Sequence, residues 1–229
     1  MIKNLKRILS KYLPVHYFQY SRSYSQDGED MILKALFEQK KNYKGFFVDV
    51  GAHHPVRFSN TQYFYKRGWR GINIEPTPDA IKAFRLFRKR DINLNIGIGE
   101  TRGELKFYCF NEPALNSFSK EVSMRVDAES NKYKIIKVLD IPVLPLAEVF
   151  DQYLPKGQTI DFLSIDVEGL DFQVLLSNNW ELYKPSVILV EENVDVDAIK
   201  DSKIYTFLKE KGYSFFAKTL RTCVYRLNP

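Results

Sequence analysis

Short apolar runs alternate with amphipathic segments along most of the chain. Runs of about four to eight apolar residues bounded by turn-forming or acidic residues are typical of buried strands, whereas apolar residues three or four apart are typical of helices. This pattern predicts strands at 46–50, 71–75, 92–98, 104–110, 134–139, 159–166, 186–191, 213–217 and 222–227. The alternation with helices predicts a mostly parallel sheet covered by helices on both faces, with an antiparallel pair at the C-terminal end.

The predicted helices begin and end at local signals. Acidic residues precede the first apolar repeat, Pro78 suits a first helical turn, and Gly212 suits a helix end. Helices are therefore predicted after residue 29 and at 59–68, 78–88, 146–153, 169–176 and 198–211. Four basic residues lie at helical spacing near the end of the helix predicted at 78–88, and they predict an exposed helix face: Arg85, Arg88, Lys89 and Arg90.

Residues 1–24 are predicted to form an arm ahead of a single domain at 25–229. Apolar residues recur at helical spacing among Lys and Arg in residues 2–13, which predicts a basic amphipathic helix. Such a helix can lie on an anionic membrane surface, on a partner subunit such as a second copy of the chain, or on its own domain. The interrupted apolar pattern argues against a signal peptide, so a cytoplasmic location, membrane-peripheral if the helix binds lipid, is expected.

Composition and charge narrow the class of protein. The 229 residues suit one domain with its own core, and 45% of them are apolar. Two cysteines exclude a disulfide framework and a four-cysteine zinc site. The formal charge is +6, but the basic residues are scattered, which favours a solvated surface over a nucleic-acid site.

Acidic residues stand where several predicted strands end. Asp49, Glu75 and Asp166 each follow a buried run, and Glu191-Glu192 follows another. Each acid could simply cap the next helix. Ligands of parallel sheets, however, bind beyond the carboxyl ends of the strands, and four such ends with acids predict one acidic crevice.

The turn after the first strand limits what that crevice can bind. Residues 48–54 hold a single glycine, Gly51, instead of the G-x-G-x-x-G of dinucleotide-binding turns. Asp49 would also repel a pyrophosphate at this turn. S-adenosylmethionine carries a ribose diol and positive charges but no phosphate, so it fits the acids better than a dinucleotide does.

Four blocks of sequence resemble the FkbM family of S-adenosylmethionine-dependent methyltransferases. They read VDVGAHHP (48–55), SNT (59–61), GWRGINIEP (68–76) and IDFLSIDVEGLDFQVL (160–175), and SQDGED (25–30) is similar to the element that opens such domains. The resemblance spans about residues 24–192. It implies a Rossmann-like class I methyltransferase fold with a seven-stranded sheet, and O-methylation of hydroxyls, often those of sugars.

The resemblance also implies roles for individual residues. Asp49 and Gly51 match the motif around the methionine end of the cofactor, and Glu75 matches the acid that bridges the ribose hydroxyls. Pro76 would shape the turn toward adenine. Gln26 and Asn60 are expected to contact the methionine carboxylate of the cofactor or groups near it. Asp166 and Glu168 match the acidic block that faces the transferred methyl, and Asp166 is also expected to contact the cofactor.

The chemistry of methyl transfer to a hydroxyl needs a group that takes the hydroxyl proton. Asp166, Glu168 and Glu191 are candidates, and so are His53 and His54, of which His54 is preferred to His53. Two carboxylates at this spacing on an extended strand would point to the same side and could hold Mg²⁺. A metal-free site is preferred, in which Asp166 bonds to the cofactor or to a backbone turn and Glu168 binds the substrate directly.

The acceptor expected from these observations is a sugar, a sugar nucleotide or a glycan. A nucleic-acid methyltransferase is the alternative that the net charge suggests, but acids at 166 and 168 would repel phosphates and no aromatic-interleaved basic stripe is present. No nucleic-acid partner is therefore expected. A binding protein that retains the fold without activity is a further alternative.

Overall fold

A sheet of seven strands forms the centre of the computed structural model, which describes residues 20–39 and 42–229. The helices are α1 (Glu29–Phe37), α2 (Gln62–Tyr65), α3 (Pro78–Phe87), α4 (Lys120–Glu129), α5 (Leu146–Tyr153), α6 (Asp171–Leu176) and α7 (Lys203–Glu210). The strands are β1 (Phe46–Val50), β2 (Arg70–Ile74), β3 (Ile92–Leu94), β4 (Gly97–Ile98), β5 (Gly103–Phe110), β6 (Ile135–Leu144), β7 (Phe162–Ile165), β8 (Val187–Glu191), β9 (Tyr213–Lys218) and β10 (Thr222–Leu227). The amphipathic helix expected within residues 2–13 lies outside the described residues.

The order of the large sheet is β3-β2-β1-β7-β8-β10-β9. The first five of these strands are parallel, and β10 runs antiparallel to both β8 and β9. The first strand, β1, thus lies inside the sheet, with β2 and β3 on one side of it and β7 and β8 on the other. The strand order reverses next to β1, which leaves a crevice at the carboxyl ends of β1 and β7. The predicted mostly parallel seven-stranded sheet with its C-terminal antiparallel pair is confirmed.

Alternating residues of the strands bury two separate cores. On one face, Val48, Ile72 and Leu163 pack with apolar residues of α5, α6 and α7. On the other face, Phe47 and Phe162 pack with α1, α2 and Trp69. Because successive strand residues point to opposite faces, Asp49 falls on the α1–α2 side together with Phe47. The structure contains no helix long and apolar enough to cross a membrane within its described residues.

The structure differs from the prediction for residues 92–144, because part of this segment forms a second, three-stranded sheet. Its order is β4-β6-β5, so the strand expected at 92–98 is wrong in its C-terminal part. Asn95 breaks it because its amide donates to the backbone carbonyls of Glu75 and Pro76, and the chain then pairs Gly97 with Val143. The strand expected at 134–139 continues to Leu144.

The helix expected at 198–211 is also interrupted. A 3-10 segment at Val196–Asp201 precedes α7, because Ser202 is extended and accepts hydrogen bonds from the first backbone N–H groups of the helix. The unassigned residues 111–131 contain a 3-10 turn at Pro113–Leu115 and the helix α4.

The expected exposed basic face at the end of α3 is wrong for one residue. Arg88 is fully buried, whereas Arg85, Lys89 and Arg90 are exposed. Arg88 lies just past the end of α3, where the backbone leaves the helical conformation and the side chain turns inward beneath α2 to meet Asp91.

Candidate functional site

A cavity of about 500 Å³ opens at the carboxyl ends of the parallel strands. This volume lies in the usual range for small-molecule sites. The site residues expected at the cofactor all line it: Gln26, Asp49, Gly51, Asn60, Glu75, Pro76 and Asp166. The prediction of one acidic crevice therefore matches the geometry.

The turn after β1 brings three strands together at the floor of the cavity. Gly51 has φ of +78°, and a Cβ built there would lie 1.8 Å from the backbone oxygen of Asp166. The N–H groups of Gly51 and Ala52 donate to the carbonyl of Ile74. Glycine is needed at this position both for the left-handed conformation and for the close approach of β7.

Glu75 is held by two backbone donors at the end of β2. Its Oε2 accepts from the N–H of His53 at 2.8 Å, and its Oε1 accepts from the N–H of Thr77 at 2.7 Å. Burial raises the pKa of Glu75 to about 7, against the effect of these hydrogen bonds. Each carboxylate oxygen retains further acceptor capacity, which suits the two hydroxyls of a ribose.

Asp49 lies 5% exposed at the end of β1, facing the cavity. Thr61 donates to its Oδ2 at 3.1 Å, and the hydroxyl of Ser164 on β7 also bonds to it. Burial raises the pKa of Asp49 to about 6, and Arg88 opposes this rise. A buried carboxylate at this place suits a ligand cation, which would stabilise its ionised form.

The small sheet closes the opposite end of the cavity with apolar side chains. Phe107 on β5 and Phe118 have ring centroids 4.6 Å apart and line the cavity near Pro76. Ile96 and Ile98 from the break after β3 complete this end. A flat apolar ring system can pack against the side of these residues that lines the cavity. Sequence reasoning did not assign them to the site, because they lie about 20 to 45 positions beyond Glu75.

Three carboxylates meet at the end of the cavity beyond β7 and β8. The ligand oxygens of Asp166, Glu168 and Glu191 lie within 4.8 Å of one another. Asp166 and Glu168 do not stand on an extended strand, since β7 ends at Ile165 and Glu168 has φ of +54°. The turn, held by a hydrogen bond from Ser117 to the Glu168 carbonyl, brings them together instead.

Burial, and after it the charges of the neighbouring acids, raises the pKa values of these three carboxyl groups. Burial raises the pKa of Glu168 to about 8, with Glu191 the next cause, and raises that of Glu191 to about 7. The pKa of Asp166 also lies well above its usual range, because of desolvation within the cavity wall and then the charges of Glu191 and Glu168. Such a cluster can share protons or hold a divalent cation.

The two histidines have different environments. His53 lines the cavity, and burial followed by the charge of Arg57 lowers its pKa to about 4, so the ring is neutral at pH 7. The Nδ1 of His54 accepts from the N–H groups of Val56 and Arg57 and caps the turn. The geometry therefore favours His53 over His54 as a group that can reach a ligand, the reverse of the sequence-based preference.

The segment that carries Gln26 is tied to the hairpin β9–β10. Glu29 accepts from the hydroxyl of Thr219 at 2.6 Å, and Asp27 pairs with Arg221 at 3.4 Å. Arg221 itself lines the cavity. Sequence reasoning did not identify Arg221 as a cavity residue, because nearly 200 residues separate it from its partner Asp27.

The buried acids make a prediction for the unliganded protein. Asp49 and Glu75 have pKa values of about 6 and 7, above their ordinary values, so the folded state binds more protons than the unfolded state between about pH 4.5 and 7. These two acids are therefore expected to contribute a fall of about 2 to 3 kcal/mol to the free energy of unfolding as the pH rises from about 5.5 to 7.5. The raised pKa values of Glu168 and Glu191 act in the same direction, and the lowered pKa of His53 acts in the opposite one. Urea denaturation of wild type and Glu75→Gln measures this: the variant should show a shallower fall, and a wild-type stability that increases with pH across this range contradicts the prediction.

Comparison with known proteins assigns the chain to a family. The methyltransferase FkbM domain matches residues 49–215, which is more than half of the 229 residues. Comparisons with curated proteins and with solved structures give no match. The matched region begins at Asp49 and includes Glu75, Asp166 and Glu191 of the cavity, so the geometry and the match concern the same part of the fold. This chain belongs to the FkbM methyltransferase family.

Proposed function

We propose that the protein is an S-adenosylmethionine-dependent O-methyltransferase that acts on a hydroxyl of a sugar or glycan-type acceptor. The observation that carries the proposal is the arrangement of Asp49, Glu75 and Asp166 around one cavity at the ends of three adjacent strands. A methyltransferase requires a methyl donor, and S-adenosylmethionine supplies an activated methyl group.

The cavity residues suit the parts of this cofactor in order. Glu75 would accept hydrogen bonds from the ribose hydroxyls, and Asp49 would face the ammonium group of the methionine end. The apolar end formed by Phe107 and Phe118 would take the adenine ring. Gly51, which has no side chain, lets the Asp166 backbone approach the turn after β1 closely, and so brings Asp166 to the same cavity as these two acids.

The three-carboxylate end suits an acceptor hydroxyl. A hydroxyl is a weak nucleophile, so its attack is helped when a neighbouring base takes its proton. Glu168 and Glu191 have pKa values near neutrality, which suits proton acceptance at physiological pH. The same acids disfavour a nucleic-acid acceptor, because they would repel its phosphates. Asp166 would orient the acceptor behind the methyl group, since direct displacement requires alignment at contact distance.

Calorimetric titration with S-adenosylmethionine and S-adenosylhomocysteine tests the cofactor assignment. Glu75→Ala is expected to weaken binding about 100-fold, because it removes hydrogen bonds of a charged group to two hydroxyls. Glu75→Gln should weaken it less, because it keeps one acceptor oxygen. Glu100→Ala is the matched control, since Glu100 is exposed outside the cavity, and it should bind as wild type does.

Acceptor identity is tested by transfer of a radiolabelled methyl group to panels of free sugars, sugar nucleotides and glycans. Label in an alkali-stable ether of a sugar hydroxyl is the expected product. Well-folded wild type that binds neither cofactor form would contradict the cofactor assignment, while binding with label appearing only in RNA or DNA would contradict the acceptor class.

A further inference from the structure

We propose that Thr61 and Arg88 are positioning residues that orient the Asp49 carboxylate and keep it ionised for the cofactor. Arg88 donates to Thr61, and Thr61 in turn donates to Asp49. This inference rests on the proposed function, in which Asp49 faces the ammonium group of the cofactor. Neither residue lines the cavity, so both act through Asp49.

The guanidinium of Arg88 is held in one orientation. It is fully buried, its Nε donates to Asp91 at 2.9 Å, and its Nη1 donates to the carbonyl of Pro55 and to Gln62. The remaining nitrogen, Nη2, donates to the Oγ1 of Thr61 at 2.7 Å. Because each nitrogen of the fork is engaged, the group cannot swing away from Thr61 without leaving buried partners unpaired.

The hydrogen bonds from Arg88 to Thr61 and from Thr61 to Asp49 form a relay, and its direction follows from the single hydrogen of the Thr61 hydroxyl. A hydroxyl has one hydrogen, and Arg88 can only donate to it. The ionised Asp49 carboxylate can only accept, so the Thr61 hydrogen points to Asp49 Oδ2. Ser59 lies 3.2 Å from the same hydroxyl, and its own oxygen accepts from the N–H of Gln62. Thr61 is therefore polarised by a cation on one side and directed at a carboxylate on the other.

The surrounding charges show why Asp49 needs this support. Asp91, Glu75 and Asp166 lie near Asp49 and all disfavour its ionisation, whereas Arg88 favours it. Asp91 has its own donors in the N–H of Gly71, the Asn73 amide and Arg88. The two buried acids thus share a single guanidinium, with Asp91 bound directly and Asp49 reached through the Thr61 hydroxyl.

Thr61→Val and Thr61→Ser form the test pair. The valine variant keeps the size of the side chain but removes the hydroxyl, whereas the serine variant keeps the hydroxyl. The pKa of Asp49 is measured by NMR titration of protein labelled with ¹³C at the aspartate carboxyls, with Asp49→Asn assigning the resonance. Without the relay, the pKa is expected to rise about one unit from its wild-type value, because a hydrogen bond to the charged form is lost. The serine variant should keep the wild-type pKa.

The affinity for S-adenosylmethionine provides the second readout. If the pKa of Asp49 rises by one unit, the Thr61→Val protein should bind S-adenosylmethionine about tenfold more weakly than wild type at about pH 5, where Asp49 is mostly protonated in both proteins. At about pH 8 the two proteins should bind it almost equally. A merely structural defect would instead weaken binding by the same factor at all pH values. If Thr61→Val does not fold, Thr61→Ala replaces it with the same expectation.

The outcomes separate this inference from the proposed function. An unchanged Asp49 pKa in the folded variant, or a loss of affinity independent of pH, overturns the relay while leaving cofactor binding intact. Wild-type protein that binds no cofactor overturns the proposed function and with it the task assigned to the relay. A raised pKa together with pH-dependent loss, restored by Thr61→Ser, supports both.

Discussion

Glu168→Gln is expected to lower the rate of methyl transfer at least about 100-fold while leaving the affinity for S-adenosylhomocysteine within about threefold of wild type. Glutamine has nearly the same shape but cannot take a proton from the acceptor hydroxyl. Its backbone can still adopt the Glu168 turn, where the carbonyl accepts the hydrogen bond from Ser117. The measurement is turnover at saturating cofactor, with binding of S-adenosylhomocysteine, the demethylated by-product, as the control for the cavity.

The hypothesis that Glu168 takes the proton of the acceptor hydroxyl also predicts how turnover depends on pH. The carboxyl groups of Glu168 and Glu191 titrate at about pH 8 and 7, so the wild-type rate should rise with pH through this range as they lose protons. Glu168→Gln should lose the upper part of this rise, because the titrating base is gone. Glu210→Gln, at an exposed position of α7, is the matched control and should retain the wild-type profile.

Chelation distinguishes a base from a metal ligand in this cluster. Activity that is unchanged after EDTA treatment is expected, because the proposed mechanism uses the carboxylates themselves. Activity lost with EDTA and restored by Mg²⁺ would contradict it and would assign Asp166, Glu168 and Glu191 as ligands, whose mutual oxygen distances allow this.

Gly51→Ala is the second change with a large expected effect, and it acts on both stability and binding. The added methyl would lie 1.8 Å from the Asp166 carbonyl oxygen, so β1 and β7 must separate where the cavity floor lies. We expect a loss of about 3 kcal/mol or more in the free energy of unfolding and no measurable cofactor binding. Urea denaturation and calorimetry report the two effects separately.

Gly157→Ala isolates the contribution of the close approach. Gly157 has φ of +74°, nearly that of Gly51, but a Cβ there would meet nothing within 4 Å. Its substitution should cost only the backbone strain, about 1 kcal/mol, and leave cofactor binding as in wild type. Equal losses in the two variants would mean that strain alone, and not the contact with Asp166, makes glycine necessary at Gly51.

The order of strands and helices could be predicted from the sequence because it follows local periodicity. The parallel strands are short apolar runs whose carboxyl ends are marked by acids. Because ligands of parallel sheets bind at those ends, this one rule was enough to place Asp49, Glu75 and Asp166 in one crevice. Pattern, turn residues and the resemblance therefore predicted the fold and the acids that line the cavity.

Other features depend on contacts between residues that are distant in sequence. A row of basic residues carries no signal for which one turns inward, and Arg88 is buried only because Thr61, Gln62 and Asp91 surround it with acceptors. The preference between His53 and His54 likewise depends on which ring caps the turn.

The chain by itself determined the periodicity of its strands, the acids at their ends and the glycine at the first turn, because these are properties of neighbouring residues. Only the tertiary structure decided that the small sheet closes the cavity, that the carboxylates of Asp166, Glu168 and Glu191 lie within 4.8 Å of one another, and that Arg88 supports Asp49. The physical reason is that burial and pairing of charges depend on which distant groups the fold brings within hydrogen-bond distance, and no local pattern encodes those distances.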